Sequence, residues 1–452
     1  MRAGLRYASL LIAGLSSLYP VAAPSDSAGE PYGIASRVVA HPYLRMPGRP
    51  DGPIPKLLSQ TGAFKDTAHL VPSDELIPYD LIVPFWSDGA QKLRWIAMPA
   101  GKIKFSPSGE WVFPAGTVFV KTFELPVDAR DPKLKRRLET RLLMVQAGGL
   151  VYGVVYKWRP DLSDADLLPD SLTESVPIAN AAGGMQAQNW YYPSRKDCIT
   201  CHTKLSGGVL GVKTRQMNHD FAYPSGVSDN ELREWNHLGM FATPIRQADI
   251  KDLPRLARAD DDSRSIEDRA RSYLDANCSQ CHRPGGTVAG FDARYDTPLN
   301  RQELVNGAVL IDQGIDRPRI ISPHDIWRSI AYMRIDTVGD IRMPPIDRET
   351  IDEHGVALMK EWIDSMPGRA VLAPPTIAPA GGTFEKSVEI RLTDAQADAD
   401  IRYTLDGSVP GPSDPHYDKP IVLSAPAVVR ARAFKDGFTR SITSQEVFVV
   451  AQ

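Results

Sequence analysis

The chain is 452 residues long, 42% hydrophobic and 24% charged, and its 52 Lys and Arg nearly balance 55 Asp and Glu, for a formal net charge of −3. That length predicts about three domains of roughly 150 residues each. The balance leaves no basic surplus of the kind nucleic acid requires, so no nucleic-acid partner is expected.

Arg2 and Arg6 form a basic start, Tyr7 to Tyr19 an apolar run and Val21-Ala22-Ala23 a small-residue cleavage site, so residues 1–23 read as a signal peptide. The run is short for a bilayer span and no later stretch approaches that length, so no transmembrane anchor is expected. No cysteine follows the cleavage site, which argues against a lipoprotein. The expected product is periplasmic or secreted, with a formal charge of −5 once Arg2 and Arg6 are lost.

Residues 24–184 are expected to form a β-rich N-terminal domain. Tyr32 to Asp80 is rich in Pro and Gly and reads as an irregular wrap. Ile103 to Phe105, Glu110 to Phe113, Thr117 to Phe123, Leu138 to Val145 and Val151 to Trp158 are short runs of β-branched and aromatic residues between turn formers, which predicts an antiparallel sandwich or barrel. Asp161 to Gly184, acidic and then Ala/Gly-rich, reads as a loop. His41 and His69 stand alone and form no metal cluster.

Residues 185–255 carry Cys198-Ile-Thr-Cys201-His202, and residues 256–370 carry Cys278-Ser-Gln-Cys281-His282. Asp260 to Asp262 reads as the linker between the two segments. Helical spacing of Ile266, Ala270, Tyr273 and Leu274, and of Ile351, Leu358, Met359, Trp362 and Ile363, predicts two amphipathic helices, one leading into the second pentad and one closing the segment. In residues 371–452, Pro374, Pro375, Pro379, Gly381 and Gly382 read as a hinge before alternating strands at Val388 to Leu392 and Val428 to Phe434. The expected architecture is therefore multidomain: a β-rich N-terminal sandwich or barrel, a mainly α, cytochrome c-like region and a small C-terminal β-sandwich.

The two pentads use all four cysteines. Cys-x-x-Cys-His is the attachment signature of c-type haem: two thiols bond the porphyrin vinyl groups and the histidine is the proximal iron ligand. A four-cysteine zinc site fits poorly, because Cys201 and Cys278 are 77 residues apart and the paired histidines would be unexplained. A thioredoxin-like pair would need a βαβ context, and two structural disulfides across these spacings are the alternative an oxidising compartment allows. The expected cofactors are two haem c groups, with Cys198, Cys201, Cys278 and Cys281 as attachment sites and His202 and His282 on iron.

The opposite axial position decides between electron transfer and catalysis. Met343, 61 residues after His282 in Arg342-Met343-Pro344-Pro345, is the candidate for the second haem, since prolines hold the backbone that would present its thioether. For the first haem Met217 comes first, then Met240 and His237, with His219 within reach and Met185 a weaker option; an open position is the alternative. Arg294, Tyr295, Trp190, Tyr191 and Arg215 are candidate propionate partners. No catalytic side chain is assigned.

Phe85-Trp-Ser-Asp-Gly-Ala-Gln-Lys92, Phe113-Pro-Ala-Gly-Thr117, Glu139-Thr-Arg-Leu-Leu143, Tyr192-Pro-Ser194, Leu210-Gly211, Thr214-Arg-Gln216, Cys281-His-Arg-Pro-Gly-Gly286, Phe291-Asp292, Arg294-Tyr-Asp-Thr-Pro-Leu299 and Arg342-Met-Pro-Pro345 resemble a family of exported bacterial dihaem c-type cytochromes. The resemblance spans roughly Tyr79 to Met366 and implies the haem assignment rather than a physiological role; family members commonly have leucine where this chain has Met217. Ile401 to Pro410, Tyr417, Pro420-Ile421 and Ala431 to Gly437 resemble the C-terminal module of chitobiases and β-hexosaminidases, an accessory that brings no catalytic pair. The expected function is single-electron transfer between an unknown redox donor and acceptor. The alternatives are a dihaem peroxidase-type enzyme with an open haem and a haem protein docked to carbohydrate through its tail.

Overall fold

The computed structural model describes residues 31–451, so the predicted signal peptide lies outside the described residues. After a short hairpin of β1 (Phe64–Asp66) and β2 (Val71–Pro72), the strands β3 (Leu76–Tyr79), β4 (Gln91–Ala97), β5 (Val118–Pro126), β6 (Lys135–Val145), β7 (Val151–Trp158) and β8 (Ala165–Leu167) form one antiparallel meander in sequence order. Runs such as Val118-Phe-Val and Val151-Tyr-Gly-Val-Val-Tyr have the β-branched and aromatic content that suits a pleated surface.

Both faces of this sheet are covered. Val118, Val120, Leu142, Met144, Tyr152 and Val154 pack on one face against Ala40, Met46, Leu58 and Phe64 of the N-terminal wrap. The other face carries Phe119, Leu143 and Gly153 and meets the cysteine-bearing segments. The expected sandwich or barrel is thus replaced by an open six-stranded sheet whose edges β3 and β8 do not pair. Proline- and glycine-rich chain covers it, where a sandwich would need a second sheet. The expected loop over 161–184 is also corrected: β8 and β9 (Leu172–Ala179) fall within it, and β9 pairs with β10 (Met185–Tyr192), because Val176 and Ile178 alternate into a small core with Trp190 and Tyr192.

Next come α1 (Arg195–Cys201), α2 (Thr214–Met217), a hairpin of β11 (Asp220–Ala222) and β12 (Ser228–Asn230), and α3 (Glu231–His237). The following segment contributes α4 (Ile266–Asn277), α5 (Ile330–Ile335) and α6 (Glu353–Ser365). Ser265 caps α4 by accepting from the Asp268 N–H, and Asp352 caps α6 by accepting from the Gly355 N–H. Tyr273 and Leu274 of α4 meet Leu358, Met359, Trp362 and Ile363 of α6 in one core. Gly355 allows that close crossing, since a Cβ there would lie 2.5 Å from the Tyr273 ring.

The region is nevertheless not the mainly α, cytochrome c-like domain expected. Strand accounts for 29% of the structure and helix for 16%, and the path from Cys278 to α5 is turns and short bridges. Pro284-Gly285-Gly286, Pro298, Pro318 and Pro323 interrupt that stretch, and each proline removes a helical donor and clashes with the preceding turn.

The C-terminal strands β13 (Thr376–Ala378), β14 (Gly382–Glu385), β15 (Val388–Thr393), β16 (Asp400–Thr404), β17 (Ile421–Leu423), β18 (Ala427–Phe434) and β19 (Ser444–Ala451) make two sheets, ordered β13-β15-β17 and β14-β19-β18-β16. Ile390, Leu392, Val429, Ala431 and Phe448 fill the space between them. This module is docked rather than tethered. Buried Arg328 pairs with Asp325 at 2.8 Å and donates to the Arg440 and Ser441 carbonyls at 3.2 and 3.3 Å, while Arg440 reaches Asp316 at 3.0 Å. Arg328→Met leaves Asp325 buried without its cation and should destabilise the protein by about 3 kcal/mol. It should also speed proteolysis between Met366 and Pro379, read by limited digestion and mass spectrometry.

Candidate haem-binding site

The first pentad sits on a short helix with a defined start. Ser194 Oγ accepts from the Asp197 N–H, Asp197 Oδ2 accepts from the Ser194 N–H at 2.8 Å, and the Tyr191 hydroxyl donates to the same carboxylate. The helix lies against β7 because Gly153 has no side chain; a Cβ there would come within 2.8 Å of Cys198 Sγ. Where α1 ends, the His202 N–H donates to the Cys198 carbonyl. His202 Nδ1 lies 2.7 Å from the Gly208 carbonyl, which can only accept, so the ring proton is on Nδ1 and the Nε2 lone pair is bare. Burial lowers its pKa to about 4, so the imidazole is neutral at physiological pH.

The second pentad follows α4. The Cys278 N–H donates to the Leu274 carbonyl, and the His282 N–H to the Cys278 carbonyl. The His282 ring stacks on Phe291 with centroids 4.1 Å apart. Burial, then the Arg334 charge, lowers its pKa to about 4. All four cysteines are free thiols, and the two pentads come close: Cys201 and Cys281 are near enough to perturb one another, which raises the first pKa and lowers the second to about 7.

A buried carboxylate fixes this meeting. Asp275, one turn before Cys278, pairs with Lys213 and Arg215 at 2.9 Å each, and all three are almost wholly inaccessible. Burial alone would raise its pKa, but the two cations hold it below the ordinary carboxylate range. Arg283, just past the second pentad, adds a clamp by donating to Glu110 at 2.9 Å and to the Leu205 carbonyl at 3.1 Å.

Between the sheet and α1 lies a cavity lined by Cys198, Cys201 and His202. Phe119, Leu143, Val209 and Leu210 give it apolar walls, and Lys92, Arg94, Lys121 and Arg141 a cationic side. Burial, then the neighbouring arginines, lowers the Lys121 pKa to about 8, and burial depresses Lys92 further. An anion placed there would raise both. Two thiols, an imidazole with a bare nitrogen, apolar walls and a cationic side fit a haem with its two carboxylates. Among the described residues no group of three or more His, Cys, Asp or Glu side chains is placed to hold a bare metal ion.

The remaining candidates fall elsewhere. Met217 and Met240 are fully buried in the core around Trp111 and Trp235, and neither lines the cavity. His237 is exposed, stacked on Tyr32 at 3.6 Å, and its Nε2 donates to the Ala35 carbonyl. His219 lies against Glu231 at 3.7 Å, and Met185 is 67% exposed on β10. Thus none of the expected sixth ligands lines the His202 cavity; Met217 and Met240 are instead packed in the aromatic core. Met343 is half-buried outside the core clusters. Its N–H donates to the Arg334 carbonyl at 2.8 Å, and Arg334 is the residue whose charge acts on His282.

The expected propionate partners are committed internally: Arg294 to Asp292, Tyr295 to Asp268, Tyr191 to Asp197 and Arg215 to Asp275, while Trp190 packs in a core. Besides Lys213 and Arg283, which are held by Asp275 and Glu110, the cations that line the cavity come from β4, β5 and β6. Their signal was a charge at an inward position of an otherwise apolar strand, as in Val118-Phe-Val-Lys-Thr-Phe123.

Residues 379–445 match the family model of the chitobiase/β-hexosaminidase C-terminal domain. The match is confined to the last module. No curated protein and no solved structure matches the chain, so the haem-family resemblance of Tyr79 to Met366 gains no support from these comparisons. No helix among the described residues is long and apolar enough to cross a membrane.

Asp275→Ala would leave Lys213 and Arg215 buried without their shared anion and should cost about 3–5 kcal/mol, read from denaturant midpoints. Because the folded pKa of Asp275 is depressed, its stabilisation is complete above the unfolded value of about 3.9 and declines as pH falls through the folded pKa. Acid unfolding of the wild type should be correspondingly steeper than that of Asp275→Ala.

Proposed function

We propose that the protein is an exported electron carrier with two covalently attached haems, passing single electrons between a redox donor and acceptor. The observation that supports this reading is the first pentad's place at a cavity, where Cys198, Cys201 and the neutral His202 face apolar walls and a cationic strand rung, with the second pentad close by. Bound haem would supply the one-electron iron couple. The chain's own part is to hold His202 Nε2 bare through the Gly208 bond, to seat His282 against Phe291, and to hold the Met343 segment through Arg334 and Arg348. Export belongs to the same proposal, since haem is attached to such pentads outside the bacterial cytoplasm. The C-terminal module is compatible with carbohydrate contact.

One observation favours a second reading, a dihaem enzyme that reduces peroxide at an open first haem: no methionine and no second histidine lines the His202 cavity. The test is spectroscopic. Pyridine haemochrome and intact mass should give two haems per chain, one fewer for each pentad changed from Cys to Ser, and Met343→Ala should lower the potential of one haem. A chain matured in a haem-attaching host that carries no haem refutes the proposal. A high-spin signal in low-temperature EPR, together with rapid peroxide turnover, would replace the carrier with the peroxidase reading.

A further inference from the structure

The cavity face of the sheet is graded along its strands. One rung holds Ile96, Phe119, Leu143 and Gly153, the next Arg94, Lys121 and Arg141 side by side, and the next Lys92, Phe123 and Glu139. Like charges opposite one another on neighbouring strands destabilise a sheet, and a buried charge needs a partner. Two of the four cations have one: Arg94 pairs with Asp80, and Arg141 with Glu139 at 2.6 Å and Asp347 at 2.5 Å. Lys92 donates only to the Phe85 carbonyl at 2.7 Å. Lys121 makes no hydrogen bond or ion pair among the described residues and lies 5.1 Å from the Phe123 ring. Asp347 also lines the cavity and acts electrostatically on both lysines, but it is paired with Arg141, and neither lysine has a carboxylate within ion-pair distance among the described residues.

We propose that Lys92 and Lys121 bind the two propionate carboxylates of the haem held by Cys198, Cys201 and His202. The proposal rests on the haem reading above. Charge and polarity both support it. Two cations meet two carboxylates, and the rung that faces Cys198 through Gly153 is the apolar one, while the lysines stand one and two rungs away, about 7 and 13 Å along the strands. A haem has the same polarity, with its thioether-bearing edge opposite its propionates.

The test uses the full-length, haem-loaded protein. Pyridine haemochrome first establishes attachment, and potentiometry then compares wild type with Lys92→Met/Lys121→Met. Loss of the cations disfavours the electron-rich reduced state. The reduced-to-oxidised ratio of one haem at fixed potential should therefore fall about tenfold, a shift of about 59 mV for one electron, while the other haem is unchanged. Lys92→Arg/Lys121→Arg should restore the wild-type value; if the methionine pair fails to mature, single Lys92→Gln and Lys121→Gln variants are read in the same way. A haem-loaded variant with unshifted potentials overturns this proposal alone, whereas a wild type without haem at the first pentad overturns the haem reading as well. Inorganic phosphate that perturbs the first haem's spectrum only when Lys121 is present would also overturn it, by showing that the cations face an exogenous anion.

Discussion

The relation between the two halves of the candidate site depends on one buried carboxylate. Asp275 is on α4, and its partners Lys213 and Arg215 are at the start of α2, so the pairing ties the element that delivers the second pentad to the chain that follows the first. The Tyr295 N–H also donates to Asp275, and Asn277 accepts from the Trp86 N–H, so the same turn of helix is held from two sides. Removing three charges from water is costly, and the cost is offset only while all three are present. Such a cluster adds little net stability but strongly disfavours any arrangement in which α4 sits elsewhere.

The parts of this architecture readable from sequence are those with a strong local period or a covalent signature. β5, β6 and β7 were marked by β-branched and aromatic runs, α4 and α6 by helical spacing, and the pentads by chemistry alone. What escaped was set by contacts distant in sequence. A strand buried on both faces loses its alternation, so Lys121 and Arg141 read as interruptions of strands when they are the lining of a cavity. Met217 is near His202 along the chain, but α2 turns it into the core with Trp111 and Trp235. The expectation of a mainly α haem region gave weight to two good helices and too little to the prolines and glycines between them.

The docked tail changes how the last module can be used. Arg328 bridges it to the segment that carries the second pentad, and the Leu372 N–H and Thr439 carbonyl add a backbone link at 3.0 Å. A module held in this way presents its surface at a set orientation to the rest of the chain. The prolines before it shape a junction and do not loosen one.

The closeness of Cys201 and Cys281 also bears on what an oxidising environment would do to the folded chain. Both thiols are free and neighbours in the folded chain, and an oxidising compartment converts neighbouring thiols to disulfides. A molecule that reached this fold unmodified would be open to a Cys201–Cys281 bridge, with each pentad left one sulfur short. Oxidation of this pair and any other chemistry at its sulfurs would therefore compete.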